Sequence, residues 1–330
     1  MTYKHPSQPR LKEGDLVRVV SFGLSTRGIT PTQRELCISN LARLGLRVSF
    51  GKHVDESDEF DSSSVESRIE DLHDALIDPE VKLVLSSLGG MNAAQILTYV
   101  DWELLRANPK MFCGFSDMAA LVNAIHSKTG LVTYNGPFFG TFGMKQGLEY
   151  TLESFEKCLF TSSVYPLEPT ETWSDDAWWA DQENRTFNNN PGPTVLSEGE
   201  ASGRLIGGHL TSFATLFGTE FAPDFSDSIV AIEENSEINP RSFDRLLQNL
   251  VHQKGFKEVK GLLIGRFTSQ SGVTDEMLTR IVRTYPELSS IPVIVNLSFG
   301  HTYPQATLPI GGKVHMVAKG EQPLVNIVSH

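Results

Sequence analysis

MFCGFSDMAAL, residues Met111–Leu121, begins as a short apolar β-run and ends as the start of a helix. The period changes at Gly114, Phe115 and Ser116, so Ser116 stands on a tight strand-to-helix turn. Such a turn lifts a hydroxyl to the carboxyl edge of a parallel sheet, where the helix start offers free N–H groups and the positive end of its dipole. That is the mechanical logic of a nucleophile elbow, although the usual G-x-S-x-G spacing is broken here by Met118. Serine is also an ordinary helix N-cap, worth about 1 kcal/mol, so the segment alone leaves both roles open.

The same alternation extends outward on both sides. Leu16–Phe22, Arg47–Gly51, Lys82–Gly90 and Leu131–Pro137 read as strands. Residues 31–45, Ser63–Asp78, Asn92–Tyr99 and Asp117–Gly130 read as helices, with apolar residues at helical spacing. Strands that alternate with helices predict an α/β domain with a flavodoxin-like, largely parallel sheet over residues 1–165. Residues 166–200 are predicted to be a linker and a functional loop, rich in proline and asparagine and holding Trp173, Trp178 and Trp179. Residues 201–330 are predicted to form a β-rich α/β domain, with strands at Ser228–Glu234, Val259–Phe267, Ile291–Gly300, Lys313–Ala318 and Pro323–Val328. Helices are expected there at Ser242–Gly255 and Thr274–Tyr285.

The 330 residues are 40% hydrophobic and 21% charged, enough apolar material for a packed core. The net charge of −12 argues against binding a nucleic-acid polymer, which needs clustered cations. Cys37, Cys113 and Cys158 cannot all pair and form no C-x-x-C, which favours a reducing cytoplasm over a disulfide framework or a zinc cluster. The opening MTYKHPSQPRLKEGD lacks a secretory core, and no apolar run reaches the roughly 18 residues that span a bilayer.

Three further segments carry candidate chemistry. SSLGGMNAA puts Gly89 and Gly90 between a strand and a helix, so their N–H groups, with that of Asp117, could form an oxyanion hole. A simple βα turn fits equally, and neither phosphate-loop fingerprint is present. IVAIEEN ends a strand in two carboxylates, with Glu233 and Glu234 on opposite faces. NLSFGHTYP places His301 in a turn-rich loop after a buried strand, a setting for a general base. His209, in GGHL, is the rival histidine.

Together these segments resemble the LD-carboxypeptidase family of serine peptidases, and especially its microcin C immunity branch. The resemblance covers most of the chain, through L-x-x-G-D-x-V-x-V-V-S, S-x-G-G-M-N, G-F-S-D, I-E-E and G-H-T-x-P-x-x-T-L-P-I-G. It implies Ser116 as nucleophile, Glu233 as acid with Glu234 as the fallback, His301 as base, and Gly89, Gly90 and Asp117 as the oxyanion hole. It implies a homodimer and no metal or organic cofactor. Thr172–Arg185 looks like the extended loop of the microcin branch, where an aromatic residue holds the nucleotide, so Trp173, Trp178 and Trp179 are candidate substrate contacts. The family commonly has G-G-N where this chain has Gly207, Gly208 and His209, which puts in doubt any substrate contact made from that position.

The expected activity is amide cleavage in a small peptidyl or aminoacyl nucleotide, giving immunity to a microcin-type antibiotic. The alternative is trimming of murein tetrapeptides during wall recycling. A non-catalytic binder on the same scaffold has no need of all three of Ser116, Glu233 and His301.

Overall fold

The computed structural model describes residues 9–330. The first eight residues of the polar opening lie outside the described residues. Strands β1 (Leu16–Val20), β2 (Arg47–Phe50), β3 (Val81–Ser86), β4 (Met111–Gly114) and β5 (Thr133–Asn135) form a parallel sheet in the order β2-β1-β3-β4-β5. This is the flavodoxin-like order, and its direction of winding reverses between β1 and β3. The strands are apolar on both faces because helices cover both, and β4 is buried along its whole length.

The chain continues through β6 (Tyr165–Pro166), β7 (Thr172–Trp173), β8 (Asn188–Asn189), β9 (Thr194–Ser197), β10 (Gly199–His209), β11 (Ser228–Glu233), β12 (Gly261–Gly265), β13 (Val293–Leu297), β14 (Leu308–Ile310), β15 (Lys313–Ala318) and β16 (Leu324–Ser329). Eight of these make a second, mixed sheet in the order β6-β16-β15-β10-β11-β12-β13-β9. Its four central strands, β10 to β13, are parallel, and its outer strands run antiparallel to them or to one another. The chain is thus a mixed α/β protein with a parallel first sheet and a β-rich second one.

The two sheets are joined in three ways. β14 leaves the second half of the chain and pairs antiparallel with β5, at the edge of the first sheet, where Pro309 is tolerated. The helix Met118–Thr129 is buried from Met118 to His126 and packs against both β4 and β10. Its Asn123 exchanges two hydrogen bonds with Gly207 of β10, Nδ2 donating to the Gly207 carbonyl at 2.7 Å and Oδ1 accepting its N–H at 2.9 Å. One buried apolar cluster runs across the junction, from Val20, Phe112 and Ala120 to Ile206, Val230 and Leu262.

Two local expectations need correction. The segment expected to be a helix over Asn92–Tyr99 is a single 3₁₀ turn, Ala93–Ile96, because Asn92 makes no side-chain cap. The α-helix lies further on, at Trp102–Ala107, where Asp101 accepts the Leu104 N–H at 2.8 Å. Residues 166–200 are also more regular than a loop: β7 and β8 pair with each other, and β9 edges the second sheet. Among the described residues no helix is long and apolar enough to cross a membrane.

Candidate active site

Ser116 sits between β4 and the helix Met118–Thr129 with φ of +62°, a left-handed conformation rare outside glycine. The turn is that tight because Gly114 lies under it: a Cβ there would come within 2.9 Å of Met118 and Ser86 side chains. Gly89 closes the other side, where a Cβ would stand 3.0 Å from both Cβ and Oγ of Ser116. The neighbouring Gly90 has φ of +151° and packs on Gly23, while the Leu24 N–H donates to the Gly89 carbonyl at 2.8 Å. The turns after β1, β3 and β4 therefore meet around one hydroxyl, beside the switch point where α/β sheets hold ligands.

The second sheet supplies the partners. Glu233, the last residue of β11, is fully buried, and its Oε2 lies 2.6 Å from His301 Nδ1 and accepts the His301 backbone N–H at 3.2 Å. Facing a carboxylate, Nδ1 carries the ring proton, which leaves Nε2 as the acceptor for Ser116. Ser116 Oγ lies 3.0 Å from that Nε2, across 185 residues of sequence. Gly300 and Gly265 make room for the acid: a Cβ on Gly300 would lie 2.4 Å from Glu233 Oε2, and one on Gly265 would lie 2.9 Å from Glu233 Cβ. Burial works to raise the Glu233 carboxyl, but the charge and hydrogen bonds of His301, with His209 beyond, hold it below its ordinary value. Phe115 stacks on Phe138 at 4.5 Å between ring centroids and lies 5.1 Å from the His301 ring, walling one side.

Glu234, the residue after β11, is buried and meets different partners. Its Oε1 accepts both the N–H and the hydroxyl of Thr211 at 2.8 Å. His209 is 5% exposed, with its ring centroid 5.0 Å from that of His301, and protein groups lie against both of its ring nitrogens. Asp117 is buried, and its Oδ2 accepts the Ala93 N–H at 2.7 Å, tying the turn after Ser116 to the turn after Gly90.

The three tryptophans stand in different settings. Trp178 is buried and meets Tyr303 edge-on at 5.9 Å. Trp179 is 59% exposed, edge-on to Trp178. Trp173 is half-buried, with the Arg266 guanidinium 5.1 Å from its ring centroid. Their segment is docked on the loop that bears His301, because Ser174 and Tyr303 exchange two backbone hydrogen bonds of 2.7 Å. It also reaches the first half of the chain through Gln33 on the Trp179 carbonyl, 2.9 Å, and Gln182 on the Gly143 carbonyl, 2.7 Å. Inside the segment, Arg185 Nε donates to Asp176 Oδ1 at 2.8 Å. Cys113 lies three residues before Ser116 in the core of β4, and burial drives its thiol well above the ordinary value.

A hydroxyl on a strained turn, a histidine that accepts from it and a buried carboxylate behind that histidine can together draw off a proton and build a nucleophile. The fold and this site define the class as a serine peptidase of carboxypeptidase type. The LD-carboxypeptidase N-terminal domain matches residues 17–136, and the LD-carboxypeptidase C-terminal domain matches residues 202–316. The chain belongs to the LD-carboxypeptidase family.

Its relatives include the putative carboxypeptidase YocD of Bacillus subtilis, 47% identical over 309 residues, or 94% of this chain and 95% of that one. The microcin C7 self-immunity protein MccF of Escherichia coli is 28% identical over 288 residues, 83% of this chain and 82% of that one. A probable murein peptide carboxypeptidase of Bacillus subtilis is 29% identical over 311 residues, 93% and 90% of the two chains. Among solved structures, an MccF-like protein from Bacillus anthracis str. Ames superposes with a TM-score of 0.96 at 45% identity, covering 98% of this chain and 99% of that one. MccF in complex with glutamyl sulfamoyl guanosine superposes at 0.86 with 26% identity, covering 98% of each chain.

Ser116, Glu233 and His301, singled out from the sequence, come together in one hydrogen-bonded chain. Ser212, Thr211, Asn123 and Tyr303, which support it, were not legible. Ser212 and Asn123 act across the sheet junction, Thr211 on Glu234 and Tyr303 on the Trp-bearing segment, and none stands at a spacing that marks it.

Proposed function

We propose that this protein is a serine hydrolase that cleaves the amide bond of aminoacyl or peptidyl nucleotides, in the manner of a microcin immunity enzyme. The observation that carries the reading is the chain from Ser116 Oγ through His301 to buried Glu233. His301 takes the Ser116 proton as Oγ attacks the carbonyl carbon. The N–H groups of Gly89, Gly90 and Asp117 receive the oxyanion. His301 returns the proton to the leaving amine, and water, activated by the same histidine, releases the acyl group from Ser116.

The Trp-bearing segment supports a nucleotide substrate. Trp173 and Trp179 keep exposed ring surface, while Trp178 anchors the segment on Tyr303. A base stacked on an aromatic ring gains about 1–3 kcal/mol, so one tryptophan supplies most of the reading such a ligand needs. The likeness to MccF, solved with an aminoacyl sulfamoyl nucleotide, points the same way. The overall charge of −12 is no obstacle, because a single nucleotide needs no basic face. Activity of this kind belongs in the cytoplasm.

The second reading is removal of a terminal residue from a murein peptide, favoured by the equally distant relative named for that activity. Purified protein offered glutamyl sulfamoyl adenosine and a murein tetrapeptide separates the two. Release of glutamate from the first supports the proposal; release of D-alanine from the second, with the first left intact, replaces it.

A further inference from the structure

A second chain of polar contacts, one ion-pair contact followed by hydrogen bonds, runs beside the first and uses none of its residues. Glu234 Oε2 lies 3.1 Å from His209 Nε2. His209 Nδ1 lies 3.0 Å from Ser212 Oγ. The Ser212 hydroxyl donates to Asp117 Oδ1 at 3.1 Å, and Asp117 Oδ2 accepts the Ala93 N–H. Glu234, His209, Ser212 and Asp117 are each no more than 5% exposed, so these contacts are shielded from bulk water.

The donors and acceptors fix the state of the ring. Ser212 has one proton and gives it to Asp117, so its oxygen accepts from His209 Nδ1–H. Nε2 then faces a carboxylate oxygen. A bare lone pair there would meet negative charge in a dry interior, whereas an N–H meets an ion-pair partner. The imidazolium suits both ends: it donates to Ser212 and sets positive charge 3.1 Å from the Glu234 carboxylate.

We propose that His209 is a positioning residue that, as a buried imidazolium linked through Ser212 to Asp117, fixes the turn carrying Ser116 and the Asp117 N–H. The proposal rests on the reading of Ser116 as nucleophile. Asp117 follows Ser116 directly, and its side chain is held from both sides, by Ser212 of the second half and by the Ala93 N–H of the turn after Gly90. A strained serine needs such support, because at φ of +62° its turn relaxes if released.

The same charge serves the acid. Glu233 and Glu234 are adjacent and buried, and a cation beside such a pair offsets part of their mutual repulsion. The neutral His301 ring donates to one of them, and His209 faces the other. The groups that face His209 are Glu234, Glu233, Asp117 and the His301 ring. Burial opposes its charge, but the contact with Glu234 and the fields of the three carboxylates outweigh burial and hold its titration above the ordinary histidine value. The proton is therefore held to higher pH than on an ordinary histidine and is lost as pH rises further. The turn loosens as that proton is lost.

Nitrogen-15 NMR of the full chain labelled at histidine tests the ring state, with His209 assigned from the spectrum of His209→Asn. Two protonated ring nitrogens at pH 7.5 are expected; a neutral ring at that pH overturns the proposal. The rate at which a fluorophosphonate modifies Ser116 tests positioning without any assumption about substrate. Ser212→Ala and His209→Asn are each expected to react about tenfold more slowly at pH 7.5, and His209→Asn to lose the wild-type decline at alkaline pH. Wild-type rates and pH profile in both variants overturn the positioning role alone. An unreactive wild-type Ser116 overturns the nucleophile reading and this inference with it.

Discussion

Asn123 and Gly207 exchange two hydrogen bonds in a fully buried setting, and through them the helix that begins beside Ser116 is locked to the strand that ends at His209. The reacting groups come from different sheets, so their separation is set by contacts of this kind rather than by either half alone. Replacing Asn123 by Leu leaves a buried N–H and a buried carbonyl unpaired, at about 1–3 kcal/mol each. Asn123→Leu is expected to lower the urea midpoint and to reduce kcat more than it raises KM. An unchanged midpoint would mean that other contacts hold the junction.

Gly300 is required by Glu233. Its φ is +99°, and a Cβ would press to 2.4 Å from Glu233 Oε2. Gly300→Ala therefore displaces the carboxylate or the His301 loop, and about a 100-fold loss in kcat is expected, the scale of an ångström of misplacement. Wild-type kinetics in this variant would show that the acid need not stand where it does.

Which glutamate orients His301 is open to a direct comparison. Glu233→Gln removes the acceptor that fixes the Nδ1–H tautomer, and a kcat loss of about 10⁴ is expected. Glu234→Gln leaves the Glu233–His301 contact in place and is expected to cost far less. The reverse ranking would exchange their roles.

Ser116 stores strain. A left-handed conformation costs a non-glycine residue about 1–2 kcal/mol, so Ser116→Gly is expected to unfold at higher urea than Ser116→Ala, both being inactive. Equal midpoints would mean that the turn is relaxed.

The pH dependence of stability has two arms of opposite sign. His209 titrates above its ordinary 6.5, so its proton stabilises the fold fully below about pH 6.5, and that contribution is lost as pH rises through the folded value. Glu233 titrates below its ordinary 4.5, so its contribution is present above about pH 4.5 and is lost as pH falls through the folded value. Urea midpoints are expected to fall on both sides of this window, and the alkaline fall to vanish in His209→Asn. An alkaline fall of equal size in that variant would assign it to another group.

The first sheet was legible because its strands are apolar runs and two of its helices carry N-caps at Thr30 and Ser64, whereas the helix capped by Asp101 lies further on than the sequence reading places it. The second sheet was legible only in part. Its longest strand, Gly199–His209, shows no alternation because Gly203 and Gly207 replace side chains where neighbouring backbone comes too close: a Cβ would stand 2.8 Å from the Asp227 carbonyl oxygen and 2.1 Å from that of Ala231. β14 was hidden by Pro309, which reads as a break but sits on an edge. The Ser116, Glu233 and His301 set was readable because each stands at or just after the end of a recognisable strand, in segments that together resemble the family's motifs. The second chain was not, since only folding brings Ser212 to Asp117.

The central claim is tested most directly by measuring hydrolysis and binding of glutamyl sulfamoyl adenosine by the wild type and Ser116→Ala. The wild type is expected to release glutamate, and Ser116→Ala to bind with unchanged affinity while turnover falls by about 10⁴ or more. Full turnover by Ser116→Ala, or none by a wild type that binds the compound, would contradict the account.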